Sequence, residues 1–64
     1  MQVTIQPDNK TMDITKVQSV TGLLNRLGLK PTQALVIRDK ELLTPDRKLS
    51  PQDRIIVRMV TSRG

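Results

Sequence analysis

The chain contains no cysteine, no histidine and no aromatic residue of any kind. Each absence removes a class of chemistry. Without cysteine no disulfide can staple the fold, a composition compatible with a reducing cytoplasm, which is the expected location. Without cysteine and histidine the usual zinc ligands are missing, and with them a thiol or imidazole nucleophile and a histidine general base. No metal and no cofactor is expected. Leu, Ile, Val and Met must build the whole core, and base stacking on Phe, Tyr or Trp, which most single-strand nucleic-acid modules use, is excluded. Long apolar runs are missing too. None approaches the roughly 20 residues that span a membrane, and Met1-Gln2-Val3-Thr4-Ile5 is too polar, and too poor in early positive charge, for a signal peptide.

What is present in excess is positive charge. Eleven Lys and Arg against six Asp and Glu give a formal charge of +5. That favours an anionic partner, either nucleic acid or the acidic surface of another protein. A solvated basic domain explains the same charge without any partner. The 64 residues suit one domain. Folding at this size buries only about 60% of the surface that the unfolded chain exposes, so stability is expected to be marginal.

Along the chain, Val3 and Ile5 alternate with Gln2, Thr4 and Gln6, the period of a half-buried strand. Pro7-Asp8-Asn9-Lys10 supplies turn chemistry, and residues 11–15 resume the alternation with Met12 and Ile14 on one face, completing a hairpin. The period then changes. Val20, Leu23, Leu24 and Leu27 fall at i, i+3, i+4 and i+7, one helical stripe, with Ser19 as N-cap and Gly28 as the left-handed residue that stops the helix. Leu29 is placed to close the cap, and Pro31 prevents continuation. Residues 34–38 form a short strand in which Leu35 and Ile37 are expected to point inward and Val36 outward. Asp39-Lys40 turns the chain into a strand at 41–43. Residues 44–53 read as a loop anchored by Leu49, and 54–60 as the last strand, with Ile55, Val57 and Met59 inward and Ile56, Arg58 and Val60 outward. The order β-β-α-β-β-β describes an α+β domain in which one helix covers one face of a mixed sheet.

That order, the helix Leu23-Leu24-Asn25-Arg26-Leu27-Gly28-Leu29 and the strand entry Asp53-Arg54-Ile55-Ile56-Val57 resemble the prokaryotic sulfur carriers of the ThiS/MoaD group, which includes the tRNA-thiolation carriers. Members commonly read LLxxLGL on the helix and D-x-(V/I)-x-(V/I) into the last strand, ahead of a C-terminal Gly-Gly. Glu41-Leu42-Leu43-Thr44 is similar to the equivalent stretch of some tRNA-thiolation carriers, and the resemblance covers the whole chain, length included. It implies a ubiquitin-like β-grasp over residues 1–60 with a flexible tail at 61–64.

The resemblance also implies a non-enzymatic role. In that family a ubiquitin-activator-like (E1-like) enzyme adenylates the terminal glycine carboxylate with ATP. Sulfur displaces the nucleotide, and the thiocarboxylate goes to a downstream synthase of thiamin, molybdopterin or tRNA thiolation. Here the acceptor would be Gly64, presented by Ser62 and Arg63. A carboxylate is a poor electrophile until its oxygen becomes a good leaving group. The residue that carries it must be reachable, and glycine has no Cβ to obstruct a narrow slot. Four extended residues reach about 13–14 Å.

Two features depart from the family. The chain ends Arg63-Gly64, and it is basic where many relatives are acidic. Arg63 puts a long cation where the family has no side chain. That leaves open a tolerant partner, a variant tail or a protein that has lost carrier activity.

By resemblance to ubiquitin and its relatives, the activating enzyme would dock on an exposed patch of Val36, Ile56 and Val60 flanked by Arg38 and Arg58. Scattered surface hydrophobics explain the same residues without a partner. A second reading is a β-grasp binding module that docks on RNA or a protein through a basic sheet face, the only reading in which nucleic acid is a partner. The chain alone is expected to be monomeric. Asp39 and Asp46 are separated lone carboxylates with no acid/base partner in the sequence pattern, so no intrinsic active site is expected.

Overall fold

The computed structural model describes residues 1–6 and 8–60. They form five strands and one helix: β1 (Gln2–Gln6), β2 (Lys10–Asp13), α1 (Val20–Leu27), β3 (Ala34–Arg38), β4 (Glu41–Leu43) and β5 (Arg54–Met59). The strands make one mixed sheet in the order β2-β1-β5-β3-β4. β1 and β5 are parallel, and every other pair is antiparallel. The last strand thus enters the middle of the sheet, between the N-terminal hairpin and the β3–β4 hairpin. The architecture is a small α+β body with a mixed five-stranded sheet and one helix. The expected tail at residues 61–64 lies outside the described residues.

The helix obeys its sequence signals. Ser19 is extended (φ −148°, ψ 164°), and its hydroxyl oxygen accepts from the Gly22 N–H at 3.0 Å. Gly28 sits at φ 74°. Its N–H donates to the Asn25 carbonyl at 3.1 Å and that of Leu29 to the Leu24 carbonyl at 2.8 Å, a complete Schellman ending. The other N-terminal donors are met from outside the helix. Val20 N–H donates to the Arg47 carbonyl (3.0 Å) and Thr21 N–H to the Pro45 carbonyl (3.2 Å). The β4–β5 loop therefore caps the helix, with Leu49 buried beneath it and Leu49 N–H bonded to the Gln18 carbonyl at 2.9 Å.

The core lies between helix and sheet. Val3, Val20, Leu23, Leu24, Val36, Ile55 and Val57 are its fully buried members, joined by Met1, Ile14, Val17, Ala34, Leu43 and Leu49. Burying each such aliphatic side chain stabilises by about 1.5–3 kcal/mol, which offsets the missing aromatics by number.

Register corrects the expected parity of β3. Val36 lies opposite Val57 and Leu43 and is 2% exposed, whereas Leu35 is 39% exposed and Ile37 half-buried. Val36 faces the helix, and Leu35 and Ile37 face away. The run Leu35-Val36-Ile37 is apolar throughout, so its period carries no sign. Pairing with β5 supplies it, because directly opposed residues share a face. Met59 and Met12 have the inward parity of their partners Ala34 and Val3, yet are 36% and 37% exposed. Each lies at a margin of the sheet, one at the end of β5 and one on the edge strand β2.

Candidate docking face

One sheet face is covered by α1 and the other is open. Alternation along the strands puts Gln2, Thr4 and Gln6 of β1, Arg54, Ile56 and Arg58 of β5, Leu35 and Ile37 of β3 and Leu42 of β4 on the open side. Ile37 is flanked by Ile56 on β5 and Leu42 on β4, while Leu35 lies opposite Arg58. The result is an aliphatic cluster over β3–β4 and the centre of β5. Leu42 is 58% exposed, Leu35 39% and Ile56 36%.

At the start of β5 the face dips into an open groove of about 420 Å³ lined by Gln2, Thr4, Arg54, Ile55, Ile56 and the turn residues Asp39 and Lys40. Both turn residues have positive φ, 51° and 69°. Two left-handed residues in a two-residue hairpin loop match the twist of the flanking strands but cost non-glycine residues energy. Lys40 of the turn and Arg54 of β5 both line the groove. Lys40, Arg54 and Arg58 make no ion pair with another described residue, in contrast to Arg38 and Arg47.

The expected docking residues divide accordingly. Ile56 and Arg58 lie on the open face, and Val60, 44% exposed, follows β5 with its N–H on the Gln33 carbonyl at 2.8 Å. Val36 is core and cannot contact a partner. Arg38 is not part of the rim. It shares the inward parity of Val36, and its guanidinium donates to Asp53 Oδ2 at 3.0 Å and to the Lys48 carbonyl at 3.4 Å. That pair misleads an alternation argument, because a charged side chain is normally assigned outward. Here it lies at the strand end, where Asp53 neutralises it. The residues sequence reasoning missed are Leu35, Ile37 and Leu42, and the only hint was Leu42 beside charged Glu41 in a strand too short to show a period. Gly64, Arg63 and Ser62 lie outside the described residues.

Asp53 ties the loop down. Its carboxylate accepts from Ser50 N–H at 2.8 Å and from Arg38, and its own N–H donates to the Ser50 carbonyl at 3.0 Å. The Ser50 N–H holds the Asp53 carboxyl below the usual carboxylate range; burial opposes it, and the Arg38 guanidinium adds a lesser lowering. The Thr44 hydroxyl does the same for exposed Asp46. Among the described residues no three His, Cys, Asp or Glu side chains come together as metal ligands, and no helix is long and apolar enough to cross a membrane.

No protein-family model matches the chain, and no curated protein matches it significantly.

Proposed function

We propose that the chain is a ubiquitin-like β-grasp sulfur carrier of the cytoplasm, itself no enzyme, whose Gly64 carboxylate is the reacting group. The observation that carries this reading is the position of β5. It is the central strand of the sheet, and the chain leaves it at Val60 with four residues to Gly64. The one helix between β2 and β3 and the LLxxLGL and D-x-I-x-V stretches support the same reading, although Asp53 also has a structural task that would select it in any chain of this shape.

The chemistry balances on the chain end. A carboxylate oxygen of Gly64 attacks the α-phosphorus of ATP bound to the activating enzyme, forming an acyl-adenylate and releasing pyrophosphate. A sulfide equivalent from a donor then attacks the carbonyl carbon, AMP leaves with the electron pair of the broken C–O bond, and a thiocarboxylate remains. The thiocarboxylate sulfur then bonds to the downstream acceptor, in thiamin, molybdopterin or tRNA thiolation. Water cleaves the acyl carbon–sulfur bond, leaving the sulfur on the acceptor and restoring the carboxylate. None of these steps needs a side-chain thiol or imidazole, in keeping with a chain that has neither.

Intact mass tests the proposal. With an adenylating partner, ATP and a sulfide donor, the protein should gain the mass difference between sulfur and oxygen, and removal of Gly64 should abolish the gain. Function in the native host that survives deletion of Gly64, or a native protein whose chain continues past Gly64 unprocessed, refutes it. Changing Arg63 to Gly, which restores the family's Gly-Gly, should speed adenylation if the arginine hinders entry to the partner's slot.

A further inference from the structure

We propose that the groove between residues 16–18 and 48–51 binds the diphosphate group of a small molecule, one phosphoryl at Lys16 and the other at Lys48. The site shares no residue with the open sheet face. It lies at the end of β5 away from Val60 and goes beyond the carrier reading, since Gly64 takes no part in it.

The groove has a volume of about 400 Å³. Lys16, Val17 and Gln18, from the connection between β2 and α1, line it together with Lys48, Leu49 and Ser50 from the loop before β5. Backbone contacts hold the two segments side by side. Leu49 N–H donates to the Gln18 carbonyl at 2.9 Å, Ser19 is bridged to Lys48, and the Arg38 guanidinium donates to the Lys48 carbonyl at 3.4 Å. The fold therefore sets the spacing of the two lysine backbones before a ligand arrives, which lowers the ordering cost of binding.

Neither Lys16 nor Lys48 pairs with a carboxylate among the described residues, and no Asp or Glu lines the groove. Asp53, further along the loop, is engaged by the Ser50 N–H and by Arg38. Val17 and Leu49 are buried and supply apolar lining. Charges of one sign in a cleft with low-dielectric walls focus their field on a counter-ion. Lys16 is held at φ 65°, a conformation glycine takes without strain. What lysine adds there is its charge.

Phosphate suits this lining better than carboxylate. A phosphomonoester carries about −1.5 to −2 charges and three acceptor oxygens, and the Gln18 amide and Ser50 hydroxyl are donors at the same groove. The start of the helix adds nothing, because the N–H groups of Val20, Thr21 and Gly22 are already bonded to the Arg47 carbonyl, the Pro45 carbonyl and the Ser19 hydroxyl. The groove at Lys40 and Arg54 is a poorer anion site, since Asp39 lines it. A polynucleotide is a poorer ligand, because the chain has no ring on which bases could stack.

The test is an amide-shift titration of the full ¹⁵N-labelled chain at fixed ionic strength with inorganic pyrophosphate, orthophosphate and a single-stranded uridine RNA. Pyrophosphate should bind saturably with its largest shifts at residues 16–18 and 48–50, and orthophosphate about tenfold more weakly. Lys48→Gln should lower pyrophosphate affinity about tenfold. Lys16→Gly should lower it similarly without lowering the urea midpoint, so that the loss is not one of folding. Lys40→Gln and deletion of Gly64 should leave binding unchanged, which separates the groove from the rest of the basic surface and from the carrier chemistry. Shifts at Lys40 and Arg54 as large as those at Lys16 and Lys48 would overturn the proposal. So would equal affinity for the two phosphates, or tighter binding of the RNA at equal phosphate concentration.

Discussion

At the residue scale, one strained backbone position and one carboxylate are the informative cases. Lys40 is held at φ 69° in the second position of the β3–β4 turn. The left-handed region costs an L-residue about 1–2 kcal/mol, and glycine avoids this at an unfolded-state penalty of about 0.5–1 kcal/mol. Lys40→Gly should therefore stabilise by roughly 0.5–1 kcal/mol, read as a higher urea midpoint at unchanged slope. A lower midpoint would show that the lysine side chain contributes more than the strain removes. Asp53 is the second. Its folded carboxyl titrates below its unfolded value, so the stability it contributes is present above the unfolded pKa, about 3.9, and is lost as pH falls through the folded one. Asp53→Asn should cost about 1–2 kcal/mol at pH 7 and flatten the decline of stability in acid. An acid limb as steep as in the parent would assign that decline to other carboxylates.

At the element scale, β3 tests the face assignment. Val36 and Leu35 are adjacent in the chain, yet one is 2% and the other 39% exposed. Val36→Ala should destabilise by about 2–3 kcal/mol through lost burial and a cavity, while Leu35→Ala should cost under about 1 kcal/mol. Equal costs, measured by denaturant unfolding, would refute the register that pairs Val36 with Val57. The helix shows the opposite balance between local and distant information. Ser19, the four-member apolar stripe, Gly28 and Leu29 specify its start, buried side and end within eleven residues of sequence. Its Val20 and Thr21 donors, however, are met by carbonyls more than twenty positions away, in a loop whose sequence gives no sign of that task.

At the scale of the whole molecule, every core member among the described residues lies between Met1 and Val57. Truncation after Val60 should leave the unfolding midpoint within about 0.5 kcal/mol of the parent. Under the carrier reading it should abolish sulfur loading, and a large loss of stability would mean that residues 61–64 belong to the body. The order of elements, the helix with both caps, the inward residues of β1 and the Leu49 anchor were legible because each follows from periodicity or from a turn residue acting over a few positions. The sign of β3, the inward Arg38 and the patch of Leu35, Ile37 and Leu42 were not. A run of consecutive apolar residues such as Leu35-Val36-Ile37 shows no alternation to orient it, and a charged residue can face inward when a distant carboxylate meets it. Both are settled only when β5 enters between β1 and β3 and brings Val57 opposite Val36 and Asp53 against Arg38, contacts between residues 15 or more positions apart that no local pattern encodes.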